Sequence, residues 1–332
     1  EKAIEDYNEA IRLDPKYAGP YNNRGNAYRR LEQYEKAVAD YTESIRLDPE
    51  KAFRYRNRGM AYEDLEQYEK AIEDYNEAIN IDPKYAGAYN SRGLVYKNIG
   101  DYEKALEGYD HATSIDPKHP HPYSNRGELY RILGKPDESL KNYNSALNLD
   151  PSSTEGLKGR AKTYLFMADY EKAYEDFTKA IELDENDPEP YYHRGLINRH
   201  KQNHREAVDD FTNALESSEA PEEKARMLSS RAFSHHMLEQ VKRATEDYSK
   251  AIELDPRNAQ TFMSRAYLYQ RNDQDQNAIN DFDEIIRQNP RDGEAYIGRA
   301  MSFHNMEMHR QAELNIAAGK YLRPYTKSAR LQ

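Results

Sequence analysis

Residues 18–51 read AGPYNNRGNAYRRLEQYEKAVADYTESIRLDPEK, and this stretch decides the fold. It holds two helical patterns. The first carries Tyr21, Arg24, Gly25, Tyr28 and Leu31, with the first four at i, i+3, i+4 and i+7 on one helix face. The second carries Tyr34, Ala37, Tyr41, Ser44, Ile45 and Leu47. A short polar turn centred near Glu32 and Gln33 joins them, as an antiparallel helix hairpin requires. Asp48-Pro49 closes the unit, because proline stops a helix and pushes the preceding residue away from αR.

Working outward, the same pattern returns. Asp-Pro pairs stand at 14–15, 48–49, 82–83, 116–117 and 150–151, each 34 residues after the last. Asp255-Pro256 rejoins the period after a three-residue slip in ESSEAPEEK. Glycine recurs at 25, 59, 93, 127 and 195, and alanine takes its place at 161, 232, 266 and 300. Small residues at these points let helices approach closely, and tyrosines such as Tyr55, Tyr62, Tyr68 and Tyr75 fill the remaining core.

This period and residue pattern resembles the tetratricopeptide repeat, although Tyr21 stands where that family's pattern has tryptophan and Arg24 where it has leucine. The resemblance implies an all-α fold, a right-handed superhelical solenoid of antiparallel helix pairs. It covers residue 1 to about residue 324. Residues 1–17 supply the second helix of a truncated repeat. Six repeats occupy 18–221, three more occupy 222–324 after a lengthened linker, and 325–332 form a C-terminal tail.

An arginine sits on the packing face of all nine full repeats, where a core expects an aliphatic residue. Its level in the hairpin predicts its partner. Counting equally from the turn pairs Arg24 with Asp40, Arg58 with Asp74, Arg160 with Asp176, Arg194 with Asp210, Arg231 with Asp247 and Arg265 with Asp281. The offset meets no acid at Gly108, Asn142 and Asn315. A half-buried ion-pair ladder is the expectation, since the planar guanidinium can bridge a carboxylate and a second acceptor.

The 332 residues carry a net charge of −11, which disfavours nonspecific binding to nucleic acid or anionic membrane. No segment reads as membrane-inserting, and a cytoplasmic setting is expected. The chain opens on Glu1 rather than Met, so a fragment of a longer protein is expected. There is no cysteine, no GxGxxG, no P-loop and no HExxH. His193, His200 and His204 straddle a helix break rather than sharing a helix face, and His235 and His236 point to different faces. Neither catalytic residues nor a metal or cofactor site is expected, and the chain reads as no enzyme.

What remains is recognition. The resemblance implies that first helices line a concave groove for peptides or extended segments of a protein partner. Asn23, Asn57 and Asn125 precede ladder arginines, with Ser91 between them, and an amide can grip any backbone through both donor and acceptor. Toward the C-terminus the same surface turns apolar: Leu165, Phe166, Leu196, Phe233, Met237, Met263, Tyr267, Ile297 and Met301. The peptide-binding set is therefore Asn23, Asn57, Asn125, Phe233, Met237, Tyr267 and Met301, and the acidic chain favours a neutral or basic segment. Two alternatives stand beside this adaptor reading. One is a homo-oligomeric, self-assembling scaffold. The other is the substrate-selecting part of a larger enzyme, such as a glycosyltransferase.

Overall fold

The structure is a computed structural model that describes residues 2–329. Those residues form helices joined by short turns, with no strand among them. They fall into two compact units, the first ending at Asp169 and the second beginning at Tyr170.

The first unit holds α1 (Lys2–Leu13), α2 (Ala18–Arg30), α3 (Tyr34–Leu47), α4 (Ala52–Asp64), α5 (Tyr68–Ile81), α6 (Ala86–Asn98), α7 (Tyr102–Ile115), α8 (Pro120–Ile132), α9 (Pro136–Leu149) and α10 (Thr154–Phe166). The second holds α11 (Tyr170–Leu183), α12 (Pro188–His200), α13 (His204–Ser217), α14 (Pro221–Met237), α15 (Val241–Leu254), α16 (Ala259–Gln270), α17 (Asp275–Gln288), α18 (Gly293–Asn305) and α19 (His309–Ala329). Within each unit, even-numbered helices pair with the odd-numbered helix that follows, and hairpins stack on their sequence neighbours.

Two local devices make the hairpins. Each first helix ends in a Schellman motif. In the first repeat, Gln33 N–H donates to Tyr28 C=O at 2.9 Å and Glu32 N–H to Arg29 C=O at 3.0 Å. Glu32 stands at φ 57° to make this turn, and Gly100 and Gly134 take the same place with φ 81° and 68°. Between repeats, the periodic aspartate caps the loop. Asp14 accepts the Lys16 N–H at 3.0 Å, and Asp82 accepts that of Lys84 at 2.9 Å. The aspartate before proline is thus an Asx turn as well as a helix stop.

The core is aromatic against glycine. Tyr41 and Tyr75 are fully buried. A Cβ on Gly25 would meet the Tyr41 ring at 2.8 Å, and one on Gly59 the Tyr75 ring at 2.7 Å. Their hydroxyls are satisfied from the facing helix: Tyr41 Oη donates to Asn26 at 2.8 Å and Tyr75 Oη to Glu63 at 2.9 Å.

Two expected boundaries differ from the structure. Of the lengthened linker, only residues 218–220 lie outside helices. The inserted residues extend α14 to 17 residues, against 13 in α12 and α18. Three or four added residues make one α-helical turn, so the register slip is absorbed as helix rather than loop. The backbone of residues 325–329, expected as tail, continues α19, while 330–332 lie outside the described residues.

Most ladder arginines clamp two second helices. Arg24 Nε and Nη2 donate to Asp40 at 2.7 and 2.6 Å, while Nη1 donates to Asn8 Oδ1 of the preceding helix at 2.7 Å. Arg58 holds Asp74 at 2.8 and 2.7 Å and Thr42 at 3.2 Å. Arg194 holds Asp210 and Thr178, Arg231 holds Asp247 and Thr212, and Arg265 holds Asp281 and Ser249. Where aspartate is missing, asparagine can serve: Arg126 Nε donates to Asn142 at 2.6 Å and Arg299 Nε to Asn315 at 2.8 Å. Arg160, in α10, donates to Asn144 at 2.8 Å, and Asp176 is buried in α11 of the second unit. Opposite Gly108, Arg92 keeps only its leg to Asn76, at 2.5 Å. Aromatic faces complete the sheath, with Arg24 lying 5.7 Å from the Tyr21 ring centre and 5.9 Å from that of Tyr28.

Burial lifts the Asp74 carboxyl above the usual carboxylate range although Arg58 pulls it down. Desolvation therefore offsets much of the attraction, and losing one partner is worse than losing both. Arg58→Leu is expected to lower stability by about 3–5 kcal/mol for a fully buried pair, less with residual hydration. Asp74→Asn, which copies Asn142, is expected to be far milder. Urea denaturation of both variants and of the apolar double substitution checks this. The double variant should recover most of the single loss.

In the second unit, His235 is 5% exposed beside the Arg231–Asp247 pair. Its Nδ1 lies 2.8 Å from Gln240 Oε1, and its Nε2 3.8 Å from Asp247. Burial depresses the imidazole's pKa more than Gln240 and Asp247 raise it. The folded chain thus binds this proton less readily than the unfolded chain. The resulting stability is present above the unfolded value of about 6.5 and is lost as pH falls through the depressed folded value. Urea midpoints are expected to drop from pH 7.5 to pH 5.5, and to drop less in His235→Gln.

Candidate functional site

The ladder arginine, its flanking apolar or aromatic residues and the small residue after it occupy one face of the first helices. The remaining face carries the candidate recognition residues, and each unit presents its own.

In the first unit the three asparagines fall into different settings. Asn23 is exposed and opens on a cavity of about 340 Å³ with Tyr7, Asn26 and Arg30. Asn57 lines a cavity of about 470 Å³ with Arg29, Arg56 and Asp64. Asn125 lines another of about 340 Å³ with Arg56, Asn90, Leu94 and His121. Two of these amides are partly engaged between repeats: Asn57 Nδ2 donates to Asn22 Oδ1 at 3.1 Å and Asn125 Nδ2 to Asn90 Oδ1 at 2.9 Å. Each keeps its carbonyl oxygen and a second N–H. Ser91, the intervening member, is 4% exposed, and its hydroxyl accepts from Arg56 Nε at 3.1 Å.

Arg56 went unremarked in the sequence reading. It lies beside Asn57, lines two of the three cavities and also donates to Gly87 C=O at 3.2 Å. Its signal was present, since it occupies the register position of Asn22 and Asn90, one residue before the asparagine position. A second missed element is inter-repeat pairing across this face. Arg29 holds Asp64 at 2.5 Å and Lys97 holds Glu128 at 2.5 Å.

In the second unit, Phe233, Tyr267 and Met301 stand at one register position of α14, α16 and α18, at successive 34-residue intervals. They are 39%, 36% and 61% exposed, and Met237, one turn beyond Phe233, is 46% exposed. The two rings are braced. Arg199 lies 5.4 Å over Phe233, and Tyr267 meets Phe282 edge-on at 5.9 Å. Other apolar candidates go inward: Met263 is 7% exposed, and Leu196 and Ile297 are half-buried.

Two of the candidate histidines pack on aromatic rings. His193 stacks on Phe177 at 5.2 Å, and His200 lies 4.4 Å from the Tyr170 ring. Among the described residues no three acidic or histidine side chains gather as a metal site, and no helix is long and apolar enough to cross a membrane.

Comparisons with known proteins agree with this architecture. A TPR repeat model matches residues 1–31 and 62–100, and two tetratricopeptide-repeat models match 18–51 with 86–119 and 120–153 with 159–187. No curated protein sequence matches the chain. A chain of the APC/C hetero-tetramer Cut9–Hcn1 superposes with TM-score 0.59 at 16% identity, over 90% of this chain and 58% of that one. PilF of Pseudomonas aeruginosa superposes with TM-score 0.57 at 19% identity, over 62% of this chain and 92% of its own. These likenesses concern fold alone. The family models cover more than half of the chain, every full repeat carries the ladder arginine, and the chain belongs to the tetratricopeptide-repeat family.

Proposed function

We propose that this scaffold is non-catalytic and holds an extended segment of a partner protein on its first-helix faces. One observation carries the reading: Phe233, Tyr267 and Met301 repeat an exposed apolar group at the same place on three consecutive first helices. Single exposed apolar residues are ordinary on protein surfaces, but an aligned row suits a ligand that runs across the repeats. Met237 and Met301 add adaptable packing beside braced rings. The asparagine face of the first unit acts differently. Neutral hydrogen bonds contribute only about 0.5–1.5 kcal/mol net, so Asn23, Asn57 and Asn125 orient a backbone while apolar burial drives affinity.

A second reading, self-association, draws on α19, where Leu314, Ile316 and Tyr321 are 64%, 37% and 74% exposed. Sedimentation equilibrium of Leu314→Lys/Tyr321→Lys against the unsubstituted chain separates the two. Only a self-assembling chain changes mass.

Burying an apolar side chain contributes about 1.5–3 kcal/mol, so Phe233→Ala/Tyr267→Ala is expected to weaken a peptide selected by display more than tenfold. Asn57→Ala/Asn125→Ala is expected to weaken it only several-fold. Isothermal titration on variants with unchanged circular dichroism measures both. Equal affinity across all variants would sink the groove reading.

A further inference from the structure

The first unit divides its charge between its two sets of helices. The first helices α2, α4, α6 and α8 carry ten arginines and lysines against three acids, whereas the second helices α3, α5, α7 and α9 carry five against twelve. Most of the ten are engaged within the fold. Four are ladder arginines, and Arg29, Arg54 and Lys97 hold Asp64, Asp48 and Glu128. The three acids of these first helices are engaged as well: Asp64 and Glu128 in those pairs, and Glu63 by the Tyr75 hydroxyl at 2.9 Å. Asp116, in the loop before α8, accepts the Lys118 N–H at 3.1 Å.

Arg56 stands apart from this pairing. Among the described residues it forms no ion pair, and its Nε is fixed on neutral oxygens, the Gly87 carbonyl at 3.2 Å and the buried Ser91 hydroxyl at 3.1 Å. A Cβ on Gly87 would come within 3.3 Å of that nitrogen, so glycine leaves room for the contact. This anchoring restrains the guanidinium, while its two terminal nitrogens hold no partner among the described residues. Arg56 lines the cavity of about 340 Å³ with Gly87, Asn90, His119, His121 and Asn125, and no carboxylate is among the lining residues. Asn90 Oδ1 accepts from Asn125 Nδ2, which leaves the Asn90 N–H groups and one of Asn125 for a ligand. The His119 and His121 rings lie 5.0 Å apart at the start of α8, whose N-terminus no side chain caps. A helix N-terminus favours negative charge.

A lining of donors without an acid calls for an anion. The guanidinium fork alone would satisfy a carboxylate. Here donors come from α4, α6 and α8, and a phosphate monoester brings three acceptor oxygens and a charge of about −1.5 to −2 to meet them. We propose that this cavity holds the phosphate of a phosphoserine or phosphothreonine in an extended partner segment, with Arg56 as its main contact and Asn90, Asn125 and His121 around it. This rests on the groove reading above and adds the chemistry that the first unit selects.

The test captures fluorescent peptide pools on the immobilised full chain. Three pools share four randomised positions on either side of a central residue, which is phosphoserine, serine or glutamate. The phosphoserine pool is expected to be retained about tenfold more than either other pool. Arg56→Gln is expected to remove most of that preference and His121→Ala to reduce it several-fold, whereas Lys141→Gln, exposed on α9, leaves it unchanged. All variants are compared at unchanged circular dichroism, and the exposed His121 keeps the test open should Arg56→Gln unfold. Inorganic phosphate should displace the phosphoserine pool far less well than unlabelled phosphoserine peptide does, and equal competition would mark a site for the free ion and overturn the proposal. Equal retention of the glutamate or the serine pool overturns it too, as does a preference untouched by both Arg56→Gln and His121→Ala. If no phosphoserine preference is found while display-selected peptides depend on Asn57, Asn125, Phe233 and Tyr267, this inference falls and the groove reading stands. No preference together with indifference to all four residues sinks both.

Discussion

An arginine on a helix-packing face is the constraint from which the rest of the architecture follows. Leucine there would pack against anything apolar, in several registers. Arginine accepts a narrower set of neighbours. Its fork needs a carboxylate or amide sixteen residues ahead, its third nitrogen an oxygen on the preceding second helix, and its faces aromatic rings. Where both are met, those demands tie a first helix to both second helices that flank it. Net stability need not gain much, because burial of Asp74 and Asp210 offsets the attraction. The gain is directional: an array slipped by one turn would strand a charge in every repeat.

The fold was legible because a period of 34 carried it. Repeated Asp-Pro stops and small-residue positions place nearly every helix, and the hairpin offset names the carboxylate partners. The second leg of the ladder was less visible, although Asn8, Thr42, Asn76, Asp110 and Asn144 share one register position and all bear a side-chain oxygen. Asn, Thr and Asp look interchangeable as surface residues, so their shared acceptor role emerges only when the arginine's third nitrogen is located. The turns were obscured for another reason. A left-handed residue calls for glycine, yet Glu32, Glu66 and Glu239 adopt it because the Schellman hydrogen bonds and both helices hold them there. The inserted residues near Pro221 read as loop because proline and acids open both loops and helices. Proline in the first turn followed by Glu222 and Glu223 is equally a helix start.

The candidate site was legible in its residue types and less so in its electrostatics. Asn57 and Asn125 offer amides, and one N–H of each links neighbouring repeats. Net charge says less about any one face. A value of −11 describes the whole surface, whereas a bound segment senses charges within about a Debye length. Sequence composition averages over faces that the repeat keeps apart, so Arg56 and Arg199 vanish into an acidic total.

Separating the packing face from the exposed face gives the repeat its latitude. Arginine, mostly aromatic flanking residues and a glycine or alanine meet the packing requirements at fixed positions of the first helices. The positions of Asn22, Arg56 and Asn90, or of Asn26, Met60, Leu94, Phe233, Tyr267 and Met301, can then vary without disturbing register. Within one chain they do vary, from amide and guanidinium in the first unit to aromatic and thioether in the second. A mutation in this row changes what is held at one repeat and can loosen a side-chain contact to the next, such as Asn57 to Asn22 or Arg56 to Ser91, while the ladder arginines still tie the hairpins together.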